Sequence, residues 1–318
     1  MTLPSTLKSG ALELASPFLL APLEGVSDVG FRALCASNGA GLTWTEMIRA
    51  RALAKHNKST LELVDTFDSR VPTGIQLLVT GPDELFRAIA VLEELAGSTH
   101  PHFRNIKSID LNFGCPSPDV IQAGAGPALL KRRAKLRAIF EALAGVKKRG
   151  ALSIGSVSAK IRLGLNEQEK SHKVYLPVVE MANDTLDHLT VHARHAKQRS
   201  RDLPTWSAIG EAKVASKIPI VGNGDVNTRA DAERMHSDTG CDGFLIARAA
   251  IRDPWCFREM NGSGGAATAS EIDDAMRAYR ETAQRFGTKE KFRAFHVDNF
   301  ARMQAHGSLV IPQNAHMS

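Results

Sequence analysis

The chain has 318 residues, 43% hydrophobic and 23% charged, which is long enough for one large domain or for a large domain with a small companion. Four scattered cysteines (Cys35, Cys115, Cys241 and Cys256) form no Cys-x-x-Cys pair, which argues against a structural zinc site and a disulfide framework and fits a reducing compartment. The N-terminal apolar run is too short for a membrane span and continues into a strand pattern rather than a signal peptide, while a net charge of +6 and a pI of about 9.2 point toward a polyanionic partner.

Short apolar, β-branched runs then recur along the chain: FLLAPLE (18–24), LTWTEM (42–47), TGIQLL (73–78), SIDLNFG (108–114), SVSAKIRL (156–163), DHLTVHA (187–193), IPIVGNGD (218–225) and DGFLIAR (242–248). Between them lie stretches such as GPDELFRAIAVLEELAG and RAKLRAIFEALAGVKK, with apolar residues at helical spacing and a glycine near the stop. Eight strand–helix units imply a parallel sheet, and their number favours a closed (β/α)8 TIM barrel over residues 1–260 rather than an open doubly wound sheet. No Gly-x-Gly-x-x-Gly follows the first strand, against a Rossmann dinucleotide site. The Gly/Ser/Ala-rich stretch 261–270 reads as a linker. Beyond it, 271–318 predicts a small helical domain. Ile272, Met276, Tyr279, Ala283 and Phe286 line one apolar face there, and Phe292, Phe295, Phe300 and Met303 line a second helix before a frayed end.

In a barrel, chemistry sits where the strands end. The polar residues that end these runs are Glu24, Glu46, Gln76, Asn112 with Cys115, Lys160 with Arg162, His192 with Arg194, Asn223 with Asp225, and Arg248, so every strand delivers a polar group toward one rim. GNGD (222–225), followed by Arg248 in IARAA, occupies the loops after strands seven and eight, the usual barrel phosphate site. Cys115 sits in a Gly-Cys-Pro turn past a strand's end, where a thiol does chemistry, whereas Cys35, Cys241 and Cys256 read as core residues. The loop HARHAKQRSR carries Arg194, Lys197, Arg199 and Arg201 on the catalytic face, placed to contact phosphates.

APLEGVSDVGFR, TEM, DLNFGCPSP, AKIRLG, VHARHAKQ, VGNGDV and LIARAAIRDPWCFRE, in this order, resemble the flavin-dependent tRNA-dihydrouridine synthases. The resemblance spans most of the barrel. It implies bound FMN, NADPH as reductant, tRNA as partner, and a helical domain that grips it. It implies that Pro22, Leu23 and Glu24 lie against the flavin. Gln76 and Lys160 would bind the flavin's polar edge, with His192 close by. Asn223, Gly224, Asp225, Ala247 and Arg248 would hold the phosphate. Asn112 would contact the uracil, with Arg162 also on the substrate side, and Cys115 would give the proton. Two stretches depart from the family pattern: AGAGPALL (123–130), where Pro127 replaces a more flexible residue, and the tail, shorter than the usual bundle.

The implied reaction delivers a hydride to uracil C6, and C5 must then receive a proton. A thiol with a pKa of about 8.5 still holds one at neutral pH, where a carboxyl at about 4 does not. Lys160 suits the stabilisation of negative charge at the flavin edge. A monomeric cytoplasmic enzyme without metal or membrane contact is expected. Two rival readings stand beside it: an FMN barrel oxidising or reducing a free small molecule, as dihydroorotate and dihydropyrimidine dehydrogenases do, and a non-catalytic RNA-binding protein.

Overall fold

Eight parallel strands close on themselves: β1 (Phe18–Leu20), β2 (Leu42–Arg49), β3 (Thr73–Leu78), β4 (Ile106–Phe113), β5 (Ser156–Arg162), β6 (His188–His192), β7 (Ile220–Asn223) and β8 (Gly243–Ile246), with β8 pairing back onto β1. The structure, a computed structural model, describes residues 2–66, 71–98, 103 and 106–306; the frayed end expected over 307–318 lies outside them. Each strand falls within or beside an apolar run of the sequence. The principal helices that follow the strands in turn are α1 (Val29–Ser37), α2 (Ala50–Leu53), α3 (Pro82–Gly97), α4 (Arg133–Lys148), α5 (Leu176–Ala182), α6 (Ser207–Ala215), α7 (Arg229–Thr239) and α8 (Cys256–Asn261). The (β/α)8 barrel expected from the sequence is the fold.

Strand alternation divides the labour. On β4, Ile109, Leu111 and Phe113 are fully buried, and the Phe113 ring meets Phe140 of α4 at 5.7 Å. The intervening Ser108, Asp110 and Asn112 therefore face the barrel interior. The register continues this polar row sideways: Asn112 is opposite Lys160, and Arg162 opposite His192, which is opposite Asn223.

A two-stranded hairpin, Leu7–Ser9 with Leu12–Leu14, precedes the barrel, and the apolar pattern of the sequence does not set it apart from the first strand's approach. It closes the far end. Ser9 Oγ is 2.6 Å from His188 Nδ1 and 2.5 Å from Ser156 Oγ, and Leu7 and Leu14 are buried. Both ends of the barrel are thus polar inside, and the hairpin covers the far one.

After α8, residues 262–268 lead into α9 (Ala269–Arg285) and α10 (Glu290–His306). Thr268 and Glu271 cap α9 reciprocally. Ile272, Ala275, Tyr279 and Ala283 are buried on α9 and His296, Phe300 and Met303 on α10. The pair packs against α1 and the loop after β1. Tyr279 Oη donates to Asp28 Oδ2 at 2.8 Å, His296 Nε2 and the Val26 carbonyl are 2.8 Å apart, and His296 stacks on Phe31 at 4.7 Å. Gly30 makes the approach possible, since a Cβ there would lie 2.8 Å from the Tyr279 ring.

Candidate active site

The polar residues that the sequence marks at the strand ends converge on one end of the barrel. The loop after β1 carries Pro22, Leu23 and Glu24, respectively half-buried, buried and exposed. It is tied down twice: Leu23 N donates to Ser27 Oγ at 3.0 Å and Gly25 N to Glu46 Oε2 at 2.6 Å. Burial pushes the Glu46 carboxyl up against that short bond.

On β3 and β4 the side chains form one connected line. Gly114 N and Cys115 N donate to Asn112 Oδ1 at 3.0 and 2.8 Å. Asn112 Nδ2 donates to Gln76 Oε1 at 2.8 Å, and Gln76 Nε2 to Asp110 Oδ2 at 2.7 Å. Ser158 Oγ donates to Asp110 Oδ1 at 2.6 Å. Burial raises Asp110 to about 6 despite these two donors. Cys115 is 8% exposed and packs with Leu78, Val120, Ala125 and Met47. That apolar surround raises the thiol above its ordinary value, outweighing the Ser117 backbone contact and the Arg162 and Arg49 charges that lower it. Cys115 therefore keeps its proton at neutral pH. The departing stretch 123–130 lies against it through Ala125, with Pro127 in a short 3-10 turn, Gly126–Leu129.

Lys160 on β5 has no hydrogen-bond or ion-pair partner among the described residues. Burial and then Arg162 lower its amine to about 7. Arg162 ties two loops together: its Nε donates to the Gly114 carbonyl at 2.8 Å and its guanidinium to the His195 carbonyl at 3.1 Å. His192 on β6 is held neutral, first by burial and then by the charges of Arg162, Lys160, Arg194 and Arg248. Its Nδ1 is buried without a hydrogen-bond partner among the described residues. A buried polar atom left open amid four cations marks a place for a ligand with anionic character.

Asn223 Nδ2 donates to the Leu245 carbonyl at 2.8 Å and so ties β7 to β8. Gly224 has φ +133, and a Cβ there would meet Pro204 at 3.2 Å. Asp225 does not present a free carboxylate. It pairs with Arg194 at 2.6 Å and with Arg248, so the turn offers backbone N–H groups while its side chain aims a guanidinium. Ala247 and Arg248, both half-buried, open the short helix Arg248–Arg252 beside it.

One expectation needs correction. The sequence places Arg194 among the phosphate contacts of the rim, yet its side chain is 4% exposed. Besides Asp225 it donates to the carbonyls of Asp202 and Ser200 at 2.8 and 3.2 Å. It is the internal strut of the loop after β6. Lys197, Arg199 and Arg201 remain exposed on that loop, with no side-chain partner among the described residues. Asp110 and Ser158 were missed. Each stands two residues before a residue that the sequence marks, Asn112 and Lys160, so strand periodicity is the available signal.

The sequence profile of the dihydrouridine synthase family (Dus) matches residues 19–309. A protein of Mycobacterium tuberculosis named "Probable tRNA-dihydrouridine synthase" is 33% identical over 287 residues, covering 86% of this chain and 70% of that protein. One of the same name from Aquifex aeolicus is 34% identical over 243 residues, covering 76% and 72%. Among solved structures, morphinone reductase superposes with a TM-score of 0.57 at 11% identity, covering 84% of this chain and 92% of that one, a likeness of fold alone.

Proposed function

The chain belongs to the dihydrouridine synthase family, and on that premise we propose that it reduces uridine in tRNA to 5,6-dihydrouridine, using bound FMN and NADPH as reductant. The observation that carries the reading is a buried thiol in an apolar surround, Cys115, on the same rim as a lysine amine and a histidine nitrogen without partners among the described residues, Lys160 and His192 Nδ1. FMN, when bound, would supply the hydride equivalent to uracil C6.

The chain's own residues would do the rest. Pro22, Leu23 and Glu24 would flank the cofactor, with Gln76, Lys160 and His192 at its polar edge. The Gly224–Asp225 backbone, Asn223, Ala247 and Arg248 would receive its phosphate. Lys160 would stabilise negative charge, an effect of about 3–4 kcal/mol for one well-placed donor in a dry site. Asn112 and Arg162 would stand on the substrate side. Cys115 Sγ would give its proton to C5 and regain one from solvent. The uridine must leave its stack to reach these groups. Exposed Lys197, Arg199 and Arg201, with Arg277 and Arg280 on the tail helix, would hold the flanking phosphates. No helix among the described residues is long and apolar enough to cross a membrane, and cytoplasmic work on tRNA is the setting this reading assigns.

Purified protein should release FMN, and Cys115→Ala should retain flavin and RNA binding while product formation falls about 10²–10⁴-fold. A variant still within about threefold of the parent would remove Cys115 as the acid. Flavin reduction with no RNA affinity at all would favour a free small molecule as substrate.

A further inference from the structure

Every polar contact from the Cys115 turn to Asp110 runs in one direction. Backbone N–H groups of Gly114 and Cys115 are obligate donors, so Asn112 must turn its oxygen to them. Its amide nitrogen then faces Gln76 Oε1, and Gln76 must turn its own nitrogen to Asp110. The Asp110 carboxylate accepts there and accepts again from Ser158, so the far end agrees with the near end. An amide at position 110 could present either face, whereas a carboxylate presents only one.

The inventory at Asn112 follows. Both acceptor positions of Oδ1 are taken by the two backbone N–H groups, and one Nδ2 hydrogen is taken by Gln76. What remains is a single N–H with no acceptor among the described residues. We propose that Asp110 is a positioning residue that locks Gln76 and Asn112 in this polarity, making Asn112 a donor-only reader of the bound base, one that takes a pyrimidine carbonyl and rejects an exocyclic amine. This rests on the reading that the site receives an extruded pyrimidine of RNA, with its 4-position turned to Asn112, since O2 is a carbonyl in uracil and cytosine alike. It assigns the choice of uridine over cytidine to a buried carboxylate whose side-chain partners are Gln76 and Ser158. An amine facing the remaining N–H would leave two donors opposed in a buried site, a discrimination of roughly 5- to 100-fold.

The lock can be reversed. Asn112→Asp alone still accepts from the two backbone N–H groups but sets two carboxylates on either side of Gln76, which has one amide nitrogen to share between them. Adding Asp110→Asn restores a complete line of opposite sense: position 110 donates to Gln76 Oε1 and Gln76 Nε2 donates to position 112. Thermal unfolding of the flavin-loaded proteins, without RNA, should show Asn112→Asp destabilised and the double variant recovering most of the loss. Adenosine oligonucleotides carrying one uridine or one cytidine should then bind the parent with a uridine preference in the stated range. The double variant should lose or invert that preference. A double variant no more stable than Asn112→Asp would refute the lock. An unchanged preference in a recovered double variant would refute Asn112 as the reader, as would a parent that binds both oligonucleotides equally. A parent that binds neither would instead sink the RNA reading itself, with the stability comparison still deciding the polarity of the line.

Discussion

Arg194→Met tests whether the buried arginine is a strut or an RNA contact. Methionine keeps the apolar stem and removes the guanidinium. The loss comprises the 2.6 Å ion pair with Asp225 and the donors to the Asp202 and Ser200 carbonyls. Breaking a buried pair by removing one partner costs about 3–5 kcal/mol. Here Asp225 keeps Arg248 and is 27% exposed, and the two carbonyls belong to an exposed loop that water can reach. The expected loss is therefore smaller, about 2–3 kcal/mol. Urea unfolding measures it, and a cycle with Asp225→Asn should be non-additive by about 1–3 kcal/mol because the two groups touch. An exposed phosphate contact behaves otherwise: stability would stay within about 0.5 kcal/mol of the parent. The slope of RNA affinity against salt would then fall by about 0.7–0.9 for the one lost contact. Unchanged stability with that change of slope would refute the strut.

Three further outcomes are expected. Lys160 has its amine lowered from the usual lysine value to about 7 in the folded, cofactor-free chain, so between that pH and about 10.5 the unfolded state binds the extra proton and stability rises with pH. The advantage of Lys160→Met over the parent in urea unfolding of cofactor-free protein should accordingly be largest at or below pH 7 and vanish toward 10.5; a gap independent of pH would contradict it. Cys115, raised by its apolar surround, should be alkylated by iodoacetamide only slowly at pH 8, with a midpoint above that of a free thiol, as followed by peptide mass spectrometry. Neutralising Lys197 and Arg199 together should flatten the salt dependence of RNA binding by about one to two units while NADPH oxidation by the flavin continues.

The docked tail alters how its removal would be read. Because Tyr279 and His296 bond to Asp28 and Val26, deleting α9 and α10 would also free the loop that carries Pro22–Glu24. A truncated chain that lost RNA affinity and flavin together would therefore say nothing of RNA contact by the tail. Point changes at exposed Arg280 separate the two.

The barrel was legible from the sequence because its signal is local. Eight short β-branched runs, each followed by a helical pattern, need no knowledge of what packs on what, and a Gly-Cys-Pro turn past a strand's end announces a thiol at a rim. The same locality explains what was not legible. A guanidinium in a basic loop looks alike whether it meets solvent or a carboxylate, and Arg194 is buried only because the turn after β7 brings Asp225 beneath it. Asp110 and Ser158 sit inside apolar runs, and their meaning appears only when β3, β4 and β5 lie side by side and one carboxylate can accept from both neighbours. The hairpin before β1 and the seat of α9 and α10 on α1 likewise depend on surfaces that closure of the barrel creates. Composition and periodicity decide which elements form. Which of their polar groups are buried, paired or left open is decided by contacts between residues far apart in the chain, and the chemistry of this site is set by those contacts.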